Sequence, residues 1–345
     1  MEKDFKKTFS EYKKKFDEHL SHFLLTETGK LPDYNGKEDK TDTENIYLNS
    51  LYEPVNYILS GGGKRVRPMI VMLVCSSLGG DIINSLDAAV ALEILHNFTL
   101  VHDDIMDNAL TRRGKETIHK KWDVNTAILV GDELIGLSYR SLLKTKSARI
   151  NEILKVFTDG VVEVCEGQAL DKEFELSNEV SIGNYLIMIR KKTAELLKTS
   201  ALIGALLAEA ETEDMDLISG YALNTGIAFQ IQDDLLDVSA NENEFGKKIG
   251  GDIIERKKTF LYLKALESAS PEVKSELVEI YDSAGNETEK IKKVIEIYKK
   301  LFVMEEARKY VEYYTSKADE YLEKLGSESS SLLGNYSHLL LKRQF

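Results

Sequence analysis

The sequence predicts an all-α protein, and three observations carry that prediction. Only four prolines occur in 345 residues, at Pro32, Pro54, Pro68 and Pro271, so the stretch 69–270 contains none. That stretch is rich in Leu, Ala, Ile, Glu and Lys, residues that enter helices at little cost in side-chain entropy. Its apolar residues recur at i, i+3 and i+4, and nowhere does sustained period-two alternation meet hairpin turn chemistry. About a dozen helices are expected, well above the usual helix content, in a single domain over 1–345.

In chain order, Leu31 to Glu44 is the first break, and Pro32-Asp33-Tyr34-Asn35-Gly36 predicts a mobile surface loop there. Gly61-Gly62-Gly63 is followed by Lys64-Arg65-Val66-Arg67-Pro68, with a helix starting near Pro68, since proline suits a first helical turn. A helix over Ala88 to Asp107, opened by Asn84 or Asp87, spaces Ala91, Leu92, Leu95, Phe98 and Val101 along one stripe. A second, over Tyr185 to Ala210, does so with Leu186, Ile189, Thr193, Leu196, Leu197 and Ser200. Asn241 to Gly251, with Gly246, Gly250 and Gly251, interrupts two helical patterns, and Gly326 to Ser331 reads as a serine-rich turn before a last helix. None of these breaks has the composition of an interdomain linker.

Fifty-eight Asp and Glu against 45 Lys and Arg give a formal charge of −13. A nucleic-acid binder needs surface cations to displace phosphate counterions, so the acidic balance argues against that class. Any anionic substrate must be held by local cations or by metal. Cys75 and Cys165 fit neither a disulfide framework nor a zinc spacing. Met1-Glu2-Lys3-Asp4 leads into no apolar run, and the longest such run, Met69 to Cys75, is far short of a membrane span. No secretory signal and no stable membrane insertion are expected, and the cytoplasm is the expected location.

The strongest chemical signal is Asp103-Asp104-Ile105-Met106-Asp107, which recurs as Asp233-Asp234-Leu235-Leu236-Asp237. A helix puts the first and last Asp of each on one face, about one turn apart. Carboxylates so placed repel, and both motifs sit in apolar sequence (Leu100-Val101 before one, Phe229 and Ile231 before the other). Buried like charges need neutralising, and Mg²⁺ is the hard, oxygen-seeking ion for it. The Gly61–Pro68 segment adds a helix N-terminus beside cations, an arrangement suited to phosphate. It is not a nucleotide P-loop, because Lys64 is followed by Arg65 rather than Ser or Thr. Arg112-Arg113, Lys191-Lys192, Lys247 and Lys257 follow at short distances from the Asp clusters. Carboxylates and cations together describe a diphosphate held by Mg²⁺ and by Arg or Lys.

These segments resemble the motifs of the trans-isoprenyl diphosphate synthases. His96 through Asp107 with Arg112-Arg113-Gly114 is similar to that family's first aspartate-rich motif, and Phe229 through Asp237 to its second. Gly62 through Pro68, Gly167-Gln168 with Asp171, Lys192-Thr193, and Gly246-Lys247 through Asp252 to Lys257 match in order, so the likeness runs from about Gly62 to Leu263. The resemblance implies an all-α bundle around a deep central cavity, usually a homodimer. Isopentenyl diphosphate is joined there to an allylic diphosphate (dimethylallyl, geranyl or farnesyl), with two or three Mg²⁺ per site. It further implies that Asp103, Asp107 and Asp233 ligate metal, with Asp104, Asp234, Asp237, Gln168 and Asp171 behind them or on additional metal. Arg112, Lys192 and Lys257 would grip the allylic diphosphate, Lys247 would also contact substrate, and Lys64, Arg67, His96 and Arg113 would hold isopentenyl diphosphate. The Lys192 carbonyl, the Thr193 hydroxyl and the Gln230 amide would offer oxygen dipoles to the allylic cation. His96, seven residues before Asp103, shares its helix face, whereas Trp122 and Met106 are expected in the core.

A class I terpene cyclase would lack the second motif and the Gly-Lys-Arg segment. A regulatory subunit of a prenyl synthase would have lost an Asp motif, and a His-Asp phosphohydrolase would need more than the six histidines supply. Product length is expected from Phe98 and Thr99, the fifth and fourth residues before Asp103. A bulky residue there resembles the arrangement in C20-forming members, with C15 formers next. An ideal helix sets Thr99 about 40° from the Asp103 face and Phe98 about 140° away.

Overall fold

The computed structural model describes residues 2–28, 42–177, 179–239, 250–283 and 285–342. They are helical almost throughout, in two compact units: Met1–Lys155 with Ile203–Ala210, and Val156–Leu202 with Glu211–Phe345. Most of the expected 31–44 loop, together with Gly246 and Lys247, lies outside the described residues.

The first unit opens with α1 (Glu2–Glu27) and α2 (Asp42–Leu59), so 42–44 begin a helix rather than ending a loop. Then come α3 (Val66–Ser77) and α4 (Leu86–Met106). The nine buried residues of α3 surround the helix, as a helix apolar on all sides must be packed. A two-residue hairpin, β1 (Thr111–Arg112) with β2 (Lys115–Glu116), follows, then the single turn α5 (Ile118–Lys121) and α6 (Val124–Leu142). The hairpin was not expected; Arg113 and Gly114, both at positive φ, make its turn. α4 packs lengthwise on α6. They meet closely at Gly131, where any Cβ would overlap the His102 ring.

α7 (Ile150–Leu176) leads into the second unit with α8 (Ile182–Ile189), whose Ser181 and Asn184 form a reciprocal capping box. The expected helix over 185–210 is broken: Arg190–Ala194 is a π-helical turn, and α9 (Glu195–Leu207) resumes after it. One inserted residue per turn is a common device at functional sites. α10 (Thr212–Ser239), α11 (Gly251–Ile254), α12 (Phe260–Ser268), α13 (Pro271–Asp282), α14 (Glu287–Lys300), α15 (Val303–Leu322) and α16 (Ser327–Lys342) complete the unit, with α10 packed along α15. The serines placed in a turn at 327–331 instead form the first turn of α16, consistent with serine's preference for helix starts. Its core joins Tyr185, Ile231, Leu235, Phe260, Tyr281 and Tyr298.

One buried ion pair ties the first unit together. Arg65, at φ 53, is 6% exposed and its guanidinium lies 2.6 Å from Glu93 (2% exposed) and 3.3 Å from Asp17 of α1. Removing one member leaves a charge stranded in low dielectric, so Glu93→Ala is expected to destabilise the fold by about 3–5 kcal/mol, read from denaturant unfolding. A loss below about 1 kcal/mol would mean that the pair is solvated.

Candidate active site

In the first unit the Asp103 cluster sits on the last turn of α4, with Asp107 as its C-cap. Asp103 and Asp107 are half-buried, whereas Asp104 is 3% exposed. Burial pushes the Asp104 carboxyl up to about 6; Arg112 opposes that shift, and the charges of Asp103 and Asp107 add to it. Arg112 of the hairpin donates to Asp104 through Nε at 2.7 Å and reaches within 3.9 Å of Asp103. Its neighbour Arg113 donates to the Gly62 carbonyl at 2.7 Å. The guanidinium occupies the space where a side chain at residue 63 would stand, 2.9 Å from that Cβ position, so glycine there admits the arginine.

The three cations of 64–67 separate. Arg65 turns inward to Glu93, Lys64 is exposed and Arg67 is half-buried. His96 is half-buried, and its Nδ1 is shut off from solvent with no hydrogen-bond partner. Burial, and then Arg67, Arg113, Arg112 and Arg65, hold its pKa well below the usual value, so the imidazole is neutral among guanidinium groups. Phe98 is 7% exposed and lies edge-on to His102 at 4.9 Å, on the α6 side of α4. Thr99 is half-buried, its hydroxyl bonded to the His96 carbonyl. Met106, expected in the core, is 52% exposed at the last position of α4, where the helix ends.

In the second unit the π turn presents Lys192 and Thr193. Lys192 is 2.6 Å from Asp171 of α7, and Gln168 is half-buried one turn earlier on that helix. The turn is held from both sides by glycines. A Cβ on Gly167 would overlap the Lys192 backbone nitrogen, and one on Gly226 of α10 would stand 2.6 Å from the Ala194 Cα. Thr193 donates to Gln230 Oε1 at 2.8 Å, and Gln230 Nε2 donates to Asp234 Oδ1 at 3.0 Å. The other Asp234 oxygen accepts from Tyr185 Oη at 2.7 Å and from the Phe260 amide at 3.0 Å. Burial raises Asp234 to about 7, the Asp252 charge adds to the shift, and these hydrogen bonds oppose it. Asp237 accepts from the Gly250 amide through its carbonyl and from the Asp252 amide through Oδ2. Asp233 is half-buried. Lys257 lies 2.7 Å from Glu255, and its carbonyl accepts from Tyr281.

Each cluster thus divides. Asp104, Asp234 and Asp237 are buried and accept hydrogen bonds from protein donors, while Asp103, Asp107 and Asp233 are half-buried. Among the described residues no three His, Cys, Asp or Glu side chains converge as a preformed metal cage. Reading by motif missed Tyr185, Phe260 and Glu93. Tyr185 carried a signal, since it lies seven residues before Lys192 and so nearly shares its helix face.

An all-α chain with two Asp-Asp-X-X-Asp clusters, the first beside Arg112, is of the isoprenoid synthase class. The polyprenyl synthetase family model matches residues 48–298. The chain is 40% identical over 270 residues to a short chain isoprenyl diphosphate synthase of Methanocaldococcus jannaschii, covering 78% of this chain and 79% of that one. It is 38% identical to a geranylgeranyl diphosphate synthase of Sulfolobus acidocaldarius over 81% and 86% of the respective chains. The crystal structure of a geranylgeranyl pyrophosphate synthetase from Pyrococcus horikoshii superimposes with a TM-score of 0.86 at 32% identity, over 99% of this chain and all of that one. The chain belongs to the polyprenyl synthetase family.

Proposed function

We propose that this enzyme condenses isopentenyl diphosphate with allylic diphosphates and releases geranylgeranyl diphosphate as its main product, with farnesyl diphosphate second. Its family and its relatives make it a trans-prenyltransferase of the short-chain type. One observation carries the site assignment: in a protein of net charge −13, Arg67, Arg112 and Arg113 gather about a neutral His96 in the unit that carries the Asp103 cluster. Such a concentration of cations suits a polyanion such as a diphosphate.

In the reaction the allylic C–O bond breaks and its electron pair leaves with the diphosphate. The isopentenyl double bond then forms the new C–C bond, and a proton passes from the product cation to the departed diphosphate, so no protein base is needed. Mg²⁺, when bound, stabilises that leaving group. Asp103, Asp107 and Asp233 would hold the two or three ions, and Asp104, Asp234, Asp237, Gln168 and Asp171 would orient their surroundings. Arg112, Lys192 and Lys257 take the allylic diphosphate, and Lys64, Arg67, His96 and Arg113 take isopentenyl diphosphate. The Asp171 partner of Lys192 gives way when a diphosphate, the stronger acceptor, arrives. The Lys192 carbonyl, Thr193 and Gln230 face the cation with oxygen dipoles. We extend this reading to a homodimer, supported by the exposed Ile128 and Leu129 on α6. We also place the enzyme in the cytoplasm; no helix among the described residues is long and apolar enough to cross a membrane.

The test is incubation with isopentenyl diphosphate, Mg²⁺ and C5, C10 or C15 primers, followed by chromatography of the dephosphorylated products. C20 alcohol is expected, and products beyond C25 overturn the short-chain reading. Phe98→Ala is expected to shift the distribution to longer chains, because removing a buried ring opens a cavity. An unchanged distribution removes Phe98 as the floor. The two diphosphates separate kinetically. Arg113→Gln or Lys64→Ala should raise KM for isopentenyl diphosphate, whereas Lys192→Ala should lower kcat, because only the leaving group gains charge in the transition state. Identical defects in all three variants would count against the assignment.

A further inference from the structure

We propose that Tyr185 is a positioning residue for ionisation of the allylic substrate, acting through Asp234 and Gln230 to aim the Thr193 hydroxyl. The inference rests on the assignment of Thr193 and Gln230 to the cation. It starts from a directional chain of hydrogen bonds in the second unit. Tyr185 Oη donates to Asp234 Oδ2 at 2.7 Å, Gln230 Nε2 donates to Asp234 Oδ1 at 3.0 Å, and Thr193 Oγ1 donates to Gln230 Oε1 at 2.8 Å.

The direction matters because a hydroxyl has one proton and two lone pairs. With its proton given to Gln230, Thr193 presents only lone pairs elsewhere, the sign a carbocation requires. That proton stays on Gln230 only while the amide keeps its oxygen toward Thr193. A free amide would flip, but here its NH₂ is committed to Asp234 Oδ1, which accepts from it. The carboxylate is fixed in turn, since Tyr185 and the Phe260 amide hold its other oxygen. Tyr185 is therefore the far anchor, buried to 1% exposure with its ring edge-on to Phe260 at 6.1 Å. The ring packs without the hydroxyl; the hydroxyl serves the chain of bonds. Dipoles stabilise a developing charge when they are already oriented, so a loosened anchor weakens catalysis without touching substrate.

Tyr185→Phe removes the hydroxyl and keeps the ring. The expected result is a fall in kcat of about 10- to 100-fold, with KM for both diphosphates unchanged. In Thr193→Val, kcat should fall at least as far, and Tyr185→Phe added to it should cost nothing further, because the effect passes through Thr193. Wild-type kcat in Tyr185→Phe, or a double variant whose loss is the product of the two single losses, overturns the proposal alone. Wild-type kcat in Thr193→Val overturns the cation assignment of Thr193 and this proposal with it. Should Tyr185→Phe fail to fold, Asp234→Asn tests the same chain. Its Oδ1 keeps Tyr185 and Phe260, but its NH₂ forces the Gln230 amide to flip and frees the Thr193 proton. In this variant kcat should fall while KM for both diphosphates stays at the wild-type value. A wild-type kcat in Asp234→Asn would overturn the proposal.

Discussion

Asp103→Ala and Asp233→Ala are each expected to lower kcat by at least about 10³-fold, roughly 4 kcal/mol of transition-state stabilisation, while the protein stays folded. Charge develops on the departing diphosphate, and an ion lost from it is lost at the step where it is needed most. Both carboxylates are half-buried, so truncation strands little, and it relieves repulsion within each cluster. Asp104→Ala should behave differently. It strips Arg112 of its 2.7 Å partner, so stability falls along with activity. Steady-state kinetics at saturating Mg²⁺, with circular dichroism on the same samples, separates the cases. Near-normal turnover in either Asp103→Ala or Asp233→Ala would refute the two-cluster mechanism.

Gly167→Ala is the second large effect. Its methyl group would overlap the Lys192 backbone nitrogen, and backbone cannot rotate aside as a side chain can. Overpacking of this kind costs about 1–3 kcal/mol, and α7 and the π turn must move apart to accept it. A displacement of about 1 Å in a catalytic group can cost on the order of 10² in rate. Thermal unfolding and kcat should therefore fall together. Gly136→Ala on α6 is the control: a Cβ there meets nothing within 4 Å. That change should raise stability by about 0.5–1 kcal/mol, as alanine does in a helix interior. A Gly167→Ala enzyme with normal kcat would mean that the turn carries no catalytic group.

Much of this protein is legible in its sequence. Helix periodicity is a local property, so the proline-free stretch and its i, i+3, i+4 pattern determined the all-α class, and the start of α3 and the range of α4 came out within a few residues. The two Asp clusters were visible because five residues of one helix turn contain the whole signal. Local patterns were also where the reading erred. A continuous helix over 185–210 satisfied every spacing, and nothing in Arg190-Lys191-Lys192-Thr193-Ala194 announces a π turn. The turn is made by packing, with Gly167 and Gly226 admitting it from two other helices.

Partner choice lies wholly in the tertiary structure. Lys64, Arg65 and Arg67 read alike in sequence. Yet Arg65 is consumed by Glu93, a residue 28 positions away that one-dimensional spacing cannot pair with it. Asp103 and Asp104 are adjacent and chemically identical, and one helical step of about 100° turns the second into the protein, onto Arg112. Asp234 differs from Asp233 for the same reason, with Tyr185 49 positions off in sequence and 2.7 Å off in space. The sequence determined which chemical groups the protein has and which of them share a helix face. Folding decided which carboxylates and cations are buried against one another and which stay nearer the surface, because hydrogen bonds and ion pairs form across distances in space that residue numbers do not measure.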